Sequence, residues 1–388
     1  MTPLPIATPI TAALLHGVVE IESTALGVVP HRLPAWARAQ CGDPQLAMVE
    51  AQPSGVRLMF RTRATAVELE ALRTRRRYVG LPARPDGMYV LMQGDQVLAQ
   101  ATLPGGHVLA IDMAAGSAVR EAGAPGVLRF GTLPEGEKML TLWLPHDEAV
   151  ELIALHSDAP LHAVPAGTQR RWVHHGSSIS HGSNATAPHA IWPAIAATLG
   201  DAALTNLGFG GSALLDPFVA RTIRDLPADL ISLKLGINLV NMDLMRLRAL
   251  GPAVHGFLDT IREGHPDTPL LLVSPILCPM HETTPGPTLP DTAALARGEW
   301  RLLASGDPAE VARGKLTLQM IRRMLADLVA QRRTQDPNLH YLDGLALYGQ
   351  ADAEALPLPD GLHPDTATHR LIGERFAAHA FVEGVFGG

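Results

Sequence analysis

The sequence predicts an α/β protein with two domains. Residues 1–165 are expected to form an antiparallel, jelly-roll-like β-sandwich, and residues 166–388 an α/β domain with a mainly parallel sheet. The length of 388 residues exceeds what one hydrophobic core ordinarily organises. The first part of the chain consists of short apolar segments without long helical patterns between them, as in a sandwich. After a linker at residues 160–167, helical stretches alternate with short runs of apolar residues, which are typical of strands buried on both faces of a parallel sheet.

The predicted sandwich strands are short and are separated by glycine and proline. Two of them clearly alternate apolar and polar residues, as expected of strands with one buried face. The pair Gly94 and Asp95 lies between two predicted strands and indicates a hairpin turn. No catalytic set of side chains assembles in this part of the sequence. The predicted strands cover residues 18–22, 55–61, 66–72, 88–92, 96–100, 108–111, 138–144 and 150–155.

In the second domain, a first strand begins at Arg171. Loops that leave the carboxyl ends of parallel strands are the places where such sheets bind ligands. Four loops with glycine, serine, asparagine or histidine are predicted at that edge, over residues 176–178, 206–212, 235–238 and 359–364. The other predicted strands are 230–235, 270–274 and 340–342, and the helical stretches lie near 189–199, 246–263 and 314–333.

Composition restricts the classes of function. Hydrophobic residues make up 47% of the chain and charged residues 18%, as in a globular protein with a sizeable interior. The net charge of −7 does not favour nucleic acid as a partner. No apolar segment approaches the ~20 residues that a membrane helix needs, and the N-terminus does not resemble a secretory signal. We therefore expect a soluble, cytoplasmic protein, in which Cys41 and Cys278 are two buried free thiols.

Ser177 and Ser178 follow the first predicted strand, where a serine could act as a nucleophile. A serine hydroxyl needs a base to take its proton. Asp360 and His363 are spaced so that one turn places the carboxylate beside the imidazole, which makes them the candidate acid and base. The alternatives are a helix N-cap for Ser178 and a simple turn with a surface histidine for the other two.

Three donors could stabilise a developing oxyanion at this edge. They are the backbone N–H of Ser178, the backbone N–H of a glycine in the 206–212 loop and the side-chain amide of Asn238. Glycine allows close approach of a bare backbone N–H, and asparagine supplies an amide donor. The glycine could be Gly210 or Gly211, and Asn238 could instead be a turn residue that bonds its own backbone.

In order and spacing, the four loops resemble those of the Ser-Gly-Asn-His hydrolases, also called the GDSL lipase/acylhydrolase family. The resemblance covers about residues 170–385. Ser177 and Leu239 stand where the family has aspartates, so the first and third loops depart from the family's pattern at these positions. The resemblance implies a three-layer α/β/α domain and a serine esterase or acyltransferase without a cofactor. The resemblance also implies that Ser178 is the nucleophile and that Gly211, not Gly210, is the oxyanion donor. The positions that match the family's motifs are Gly176-Ser177-Ser178, Gly211, Asn238, Asp360 and His363.

Three functions follow as alternatives. The first is hydrolysis of a small ester or acylated sugar through an acyl-enzyme. The second is transfer of an acyl group from a thioester donor, such as an acyl coenzyme A or a carrier-bound acyl group, to a hydroxyl of a natural product. The third is glycan binding without catalysis. A sandwich ahead of such a domain also resembles carbohydrate esterases and an acyltransferase that decorates a tetracycline-type polyketide. The sandwich itself is expected to be a carbohydrate-binding-module-like or a structural domain.

Further polar residues are candidates for substrate contact or metal binding. His281 and Glu282 follow a predicted strand at the ligand-binding edge and are candidate substrate contacts, with an uninvolved surface insertion as the alternative. Histidines at positions 174, 175, 181 and 189 lack the pairing with carboxylates or cysteines that a zinc site needs, so no metal is expected.

Overall fold

A computed structural model describes residues 3–112, 115–165 and 167–387. The chain divides into two compact units. The sandwich unit comprises Met1–Pro34, Ala47–Thr168 and Thr186–His189. The α/β unit comprises Ala35–Leu46, Gln169–Ala185 and Ala190–Gly388. The units therefore exchange short segments of chain, which a single boundary between residues 165 and 166 does not describe.

The sandwich unit contains two sheets. Its strands, in chain order from β1 to β14, are Ile6–Thr8, Leu15–His16, Glu20–Ser23, Val28–His31, Arg57–Thr62, Val67–Tyr78, Met88–Gln93, Gln96–Thr102, His107–Asp112, Ser117–Glu121, Gly126–Phe130, Lys138–Trp143, Ala149–Ser157 and Leu161–Ala163. One sheet has the order β10-β9-β6-β13-β4-β3, with β1 added to β13 and β11 to β6. The other sheet has the order β14-β5-β12-β7-β8, with β2 added to β5.

Side chains from both sheets of the sandwich form one hydrophobic core. Phe60 and Leu140 come from one sheet, and Leu69 and Leu152 from the other, and all four are fully buried. Such a core is what two sheets packed face to face require. The predicted sandwich is thus confirmed, although its strands are not all antiparallel.

The exception is the pairing of β6 with β9, which is parallel and aligns Thr74 with His107. Parallel neighbours need a crossover connection. Here the chain crosses through β7 and β8 of the other sheet before it returns as β9. Local sequence patterns do not report this crossover.

The α/β unit is built on a five-stranded sheet in the order β16-β15-β17-β18-β21, and every neighbouring pair in it is parallel. The predicted parallel sheet is confirmed. Because the first strand has the second on one side and the third on the other, the order reverses at β15, and such a switch point opens a crevice for ligands. The strands are β15 Arg170–Gly176, β16 Ala202–Gly208, β17 Leu230–Lys234, β18 Leu270–Val273 and β21 Leu339–Leu342. A separate antiparallel pair consists of β19 Thr288–Pro290 and β20 Leu302–Ala304.

Helices cover both faces of this sheet. Trp172 of β15 packs on Trp192 and Phe376, whereas His175, on the other face of the same strand, stacks on Phe257. The three layers follow from these opposed contacts. The helices are α1 Ala35–Gln40, α2 Pro44–Glu50, α3 Ser178–His181, α4 Trp192–Leu199, α5 Pro217–Asp225, α6 Ile237–Asn241, α7 Leu247–Gly264, α8 Thr292–Leu295, α9 Leu318–Arg332, α10 Gln350–Ala355 and α11 Thr366–Ala377.

The described residues include both cysteines and the helices in which a membrane span would lie. Both cysteines are free, as predicted, but only Cys278 is buried, and Cys41 is partly exposed on the short segment between α1 and α2. Within the described ranges, none of the helices combines the length and the apolar character needed to cross a membrane.

Candidate active site

The loop after β15 presents Ser178 at the start of α3. Ser177, not Ser178, is the N-cap of this helix, and its hydroxyl accepts a hydrogen bond from the Ile179 N–H at 3.4 Å. The N-cap alternative for Ser178 is therefore wrong by one residue. Gly176 must be glycine here, because a Cβ at this position would lie 2.3 Å from Ser180 Oγ. The capping role falls to Ser177, which leaves the Ser178 hydroxyl for other contacts.

Ser178, His363 and Asp360 form a continuous hydrogen-bond chain. The distance from His363 Nε2 to Ser178 Oγ is 3.0 Å, and that from His363 Nδ1 to Asp360 Oδ2 is 2.7 Å. Because a carboxylate only accepts, the bond to Asp360 assigns the proton to Nδ1 and leaves Nε2 to accept from Ser178. The arrangement is that of a serine nucleophile with its base and orienting acid.

The environment of Asp360 keeps its carboxyl group ionised. Burial raises its pKa. The side-chain hydrogen bond and charge of His363, with hydrogen bonds from the backbone N–H groups of Leu362 and His363, outweigh this effect and lower the pKa to about 2. The Asn184 side chain adds a long bond of 3.4 Å to Asp360 Oδ2. A charged acid at neutral pH can hold the imidazole and stabilise it when it takes up a proton.

The Gly210–Gly211 loop lies beside the serine. A Cβ added to Gly210 would be 3.7 Å from Ser178 Cβ. The Gly210 N–H already donates to His181 Nδ1 at 3.3 Å, which favours Gly211 over Gly210 as the oxyanion donor. Gly211 has a φ of 77°, a left-handed conformation that glycine adopts without strain.

Asn238 follows β17 on α6 and is 1% exposed. Its Oδ1 accepts from the Ala213 N–H at 3.0 Å, which identifies the other side-chain atom as the amide nitrogen. That nitrogen, Nδ2, is buried and has no hydrogen-bond partner among the described residues. An unsatisfied buried donor is costly and calls for an explanation. A developing oxyanion would supply the missing acceptor.

Other polar residues support these loops, in roles that the sequence patterns did not assign. Asn206 donates from Nδ2 to the Ser180 carbonyl at 2.9 Å and accepts from the Gly208 N–H at 3.0 Å, so it joins β16 to α3. His181 and Asn184 lie within six residues of the nucleophile, and that proximity was the only available signal for them. Leu239, which replaces a family aspartate, is simply buried.

His281 and Glu282 make contacts within the protein. The two ring nitrogens of His281 lie 3.0 Å from the Thr284 carbonyl and 2.6 Å from Thr288 Oγ1, and burial lowers the pKa of the ring. Glu282 pairs with Arg322, whose Nη1 lies 2.7 Å from Oε2. Neither side chain is shown to contact Ser178, Asp360 or His363, so their proposed substrate contact stays a prediction.

The histidines near the nucleophile serve separate contacts. His174 lies 2.8 Å from Ser180 Oγ, and His175 lies 2.8 Å from the Leu207 carbonyl. Burial lowers the pKa of His174 well below its usual value and that of His175 to about 4, so both rings are neutral at physiological pH. Over the described part of the chain, no group of three or more His, Cys, Asp or Glu side chains is placed to hold a metal ion.

Comparison with known proteins gives a family match for part of the chain. Residues 169–281 match the model of the GDSL-like lipase/acylhydrolase family. A search of curated proteins finds no match. The predicted resemblance to this family is confirmed in this region, which contains the loops at 176–178, 206–212 and 235–238 but not the loop at 359–364.

Solved structures resemble most of the chain. The salicylyl-acyltransferase SsfX3 from a tetracycline biosynthetic pathway is 27% identical, with 95% of each chain covered and a TM-score of 0.77. A protein of Bacteroides ovatus described as a GDSL-like lipase is 18% identical, covering 94% of this chain and 93% of its own, with a TM-score of 0.65. A family two carbohydrate esterase from Clostridium thermocellum is 15% identical, covering 84% of this chain and 91% of its own, with a TM-score of 0.54. The predicted enzyme class, a hydrolase or acyltransferase of the GDSL type with a domain ahead of it, is confirmed.

Proposed function

We propose that this chain cleaves a small acyl ester or an acylated sugar through an acyl-enzyme on Ser178. The observation that carries the proposal is the chain of hydrogen bonds from Ser178 Oγ through His363 to Asp360. The buried Nδ2 of Asn238 supports the same chemistry, because it is a donor that finds no acceptor among the residues that the structure describes.

The geometry supports a sequence of balanced steps. His363 Nε2 takes the Ser178 proton while Oγ bonds to the ester carbonyl carbon, and the carbonyl oxygen becomes an oxyanion. The N–H groups of Ser178 and Gly211 and the amide of Asn238 donate to that oxygen. The protonated His363 then gives its proton to the leaving alcohol, and the acyl group stays on Ser178. A water molecule, deprotonated by His363, then attacks the acyl carbon. The bond from that carbon to Ser178 Oγ breaks, His363 returns the proton to Oγ, and the carboxylic acid leaves.

Asp360 keeps the imidazole in the required tautomer through this cycle. Because its pKa is about 2, it carries a negative charge at every step near neutral pH. That charge stabilises the imidazolium formed after each proton transfer.

The test is to incubate the protein with p-nitrophenyl acetate and locate the acetyl group by mass spectrometry. We expect a rapid burst of p-nitrophenol and an acetylated peptide that contains Ser178, both of which are lost in Ser178→Ala. Ser177→Ala is the matched control, because it removes only the cap of α3 and should still form the adduct. Acetyl on a serine other than Ser178 would overturn the proposal.

Transfer to an alcohol is a second candidate, favoured by the likeness to SsfX3 over 95% of both chains. The first half of the cycle is the same, and a hydroxyl of an acceptor molecule then replaces water. An acyl thioester, offered with and without hydroxylated acceptors, separates the candidates. Thioester cleavage at a rate indifferent to every acceptor, without an acylated product, would exclude transfer. The remaining alternative, glycan binding without catalysis, requires that Ser178→Ala leave every activity unchanged.

A further inference from the structure

The α/β unit contains a piece of chain from far upstream, Ala35–Leu46. Its helix α1 packs on α5, and the Arg221 guanidinium of α5 lies 5.1 Å from the centre of the Trp36 ring. Arg221 also donates a hydrogen bond to Gln40 Oε1. These contacts attach the segment to the same unit that carries the candidate active site.

The end of this segment places Gln45 against the Gly210–Gly211 loop. Gln45 Nε2 donates to the Gly210 carbonyl at 2.8 Å, across 165 positions of sequence. A Cβ on Gly211 would lie 3.4 Å from the same nitrogen, so the Gln45 side chain also packs on Gly211. Asp43 Oδ1 accepts from the Gln45 backbone N–H at 2.7 Å and fixes the position from which the side chain extends.

The contact matters because of which peptide it touches. The Gly210 carbonyl and the Gly211 N–H belong to one planar peptide unit and point in opposite directions. A donor bound to the carbonyl therefore sets the direction of the N–H that is expected to hold the oxyanion. It also polarises that N–H, because hydrogen bonds along a peptide strengthen one another.

The two glycines lie at the centre of a turn that the Ser212 N–H closes by donating to the Phe209 carbonyl at 3.1 Å. In a turn of this kind the central peptide has two possible orientations, and no side chain on either glycine chooses between them. The Gly210 N–H donates to His181 Nδ1, and the Ala213 N–H donates to Asn238 Oδ1. Gln45 bonds to the carbonyl of the central Gly210–Gly211 peptide and so favours one orientation.

We propose that Gln45 is a positioning residue of the oxyanion hole, supplied by the Ala35–Leu46 segment. The inference rests on the proposed function, because it assigns the Gly211 N–H to the oxyanion. The simpler account is that Gln45 only tethers the segment. Tethering predicts a loss of stability on substitution, whereas positioning predicts a loss of kcat that depends on the chemistry of the side chain.

The experiment compares Gln45→Met, Gln45→Glu and the control Gln40→Ala by kcat and KM for p-nitrophenyl acetate and by thermal unfolding. Methionine keeps the length of glutamine but cannot donate, so we expect kcat to fall about tenfold with KM within about twofold, less than the loss of a whole donor causes. Gln40→Ala removes another contact of the same segment and should lower Tm without lowering kcat.

Gln45→Glu gives a readout that tethering does not predict. A protonated glutamic acid can donate to the Gly210 carbonyl, whereas the carboxylate repels it. The ratio of variant to wild-type kcat should therefore rise as the pH falls from 8 to 5. Asp43, Asp216 and His181 are the titratable groups around the contact, and they are present in both proteins, as is His363, so the ratio removes their shared titration.

Equal kcat in Gln45→Met and the wild type would overturn the inference, and so would an equal loss of kcat in Gln40→Ala. If the methionine variant does not fold, the glutamate variant decides, and a ratio that does not change with pH rejects positioning. The Ser178→Ala variant distinguishes a failure of this inference from a failure of the proposed function. Activity lost in Ser178→Ala but unchanged in the Gln45 variants rejects this inference alone, whereas activity retained in Ser178→Ala rejects the proposed function.

Discussion

Replacing Asn238 by alanine should abolish most of the activity and cost little stability. The substitution removes Nδ2, which is buried without a partner among the described residues, and Oδ1, which accepts from the Ala213 N–H at 3.0 Å. The first atom is the proposed donor to the oxyanion, and the second holds the loop that carries Gly211. Loss of Nδ2 should lower kcat, whereas loss of Oδ1 should lower the free energy of unfolding.

The expected changes in the reaction barrier and in the folding free energy differ in size. Losing one oxyanion donor raises the barrier by about 2.7–4 kcal/mol, which is a fall in kcat of about 10²–10³. Leaving the Ala213 N–H unsatisfied costs about 1–3 kcal/mol of folding free energy, but removing the unpartnered Nδ2 returns a desolvation cost of about the same size. The net change in the free energy of unfolding should therefore stay within about 1–2 kcal/mol.

The assay is steady-state hydrolysis of p-nitrophenyl acetate together with urea unfolding. Asn241→Ala is the matched control, because Asn241 lies on the same short helix and its Oδ1 is also buried without a partner in the described part of the chain. We expect the control to retain kcat. A kcat of Asn238→Ala within about threefold of the wild type, in a folded protein, would refute the assignment of Nδ2 as a donor.

Two further predictions concern ionisable groups. Asp360→Asn should lower kcat by about 10⁴, because the imidazole loses its tautomer control, while KM changes little. Since the Asp360 pKa is lowered to about 2, its contribution of about 2 kcal/mol is present above the unfolded pKa and is lost as the pH falls toward 2, and acid unfolding of the variant should lack that component. In the sandwich, burial raises the pKa of Glu148 to about 7, against opposing contacts from the Gly87 N–H and Arg73. A raised carboxyl pKa favours folding at low pH, so the contribution of Glu148 to the unfolding free energy should fall by up to about 3 kcal/mol from pH 4.5 to 8. Because the lowered pKa values of His174 and His175 change the total stability in the opposite direction, the contribution is measured as the difference between the wild type and Glu148→Gln in urea titrations. A difference that stays constant over this pH range would contradict the prediction.

The sheet of the α/β unit was predictable because its signals are local. The sequence of β17, Leu230–Lys234, shows no regular alternation of apolar and polar residues, which predicted a strand covered on both faces. All five residues of the strand are buried. Asp360 and His363 were found for a similar reason, since three residues of spacing bring the two side chains together within one turn. The roles of neighbouring serines were harder to separate. Ser177 and Ser178 are equivalent in sequence, and only the first turn of α3 decides which one caps the helix.

Long-range contacts account for what the sequence patterns missed. Residues 35–46 have no strong helical period, and α1 is only six residues long. The contacts of this segment in the α/β unit are long-range, such as those of Trp36 and Gln40 with Arg221 and of Gln45 with Gly210, and no local pattern encodes them. The parallel pairing of β6 with β9 is missed for the same reason, because it depends on a crossover through the second sheet.

The residues that react and the residues that hold the oxyanion peptide thus lie in different parts of the sequence. A chain that began at residue 169 would keep Ser178, Asp360 and His363 together with Gly211 and Asn238. It would lack the Gln45 amide that donates to the Gly210 carbonyl. Because that carbonyl shares a peptide plane with the Gly211 N–H, such a chain would keep the nucleophile and its base but would lose control over the direction of one donor. The upstream segment is therefore part of the proposed catalytic apparatus, although no family motif includes it.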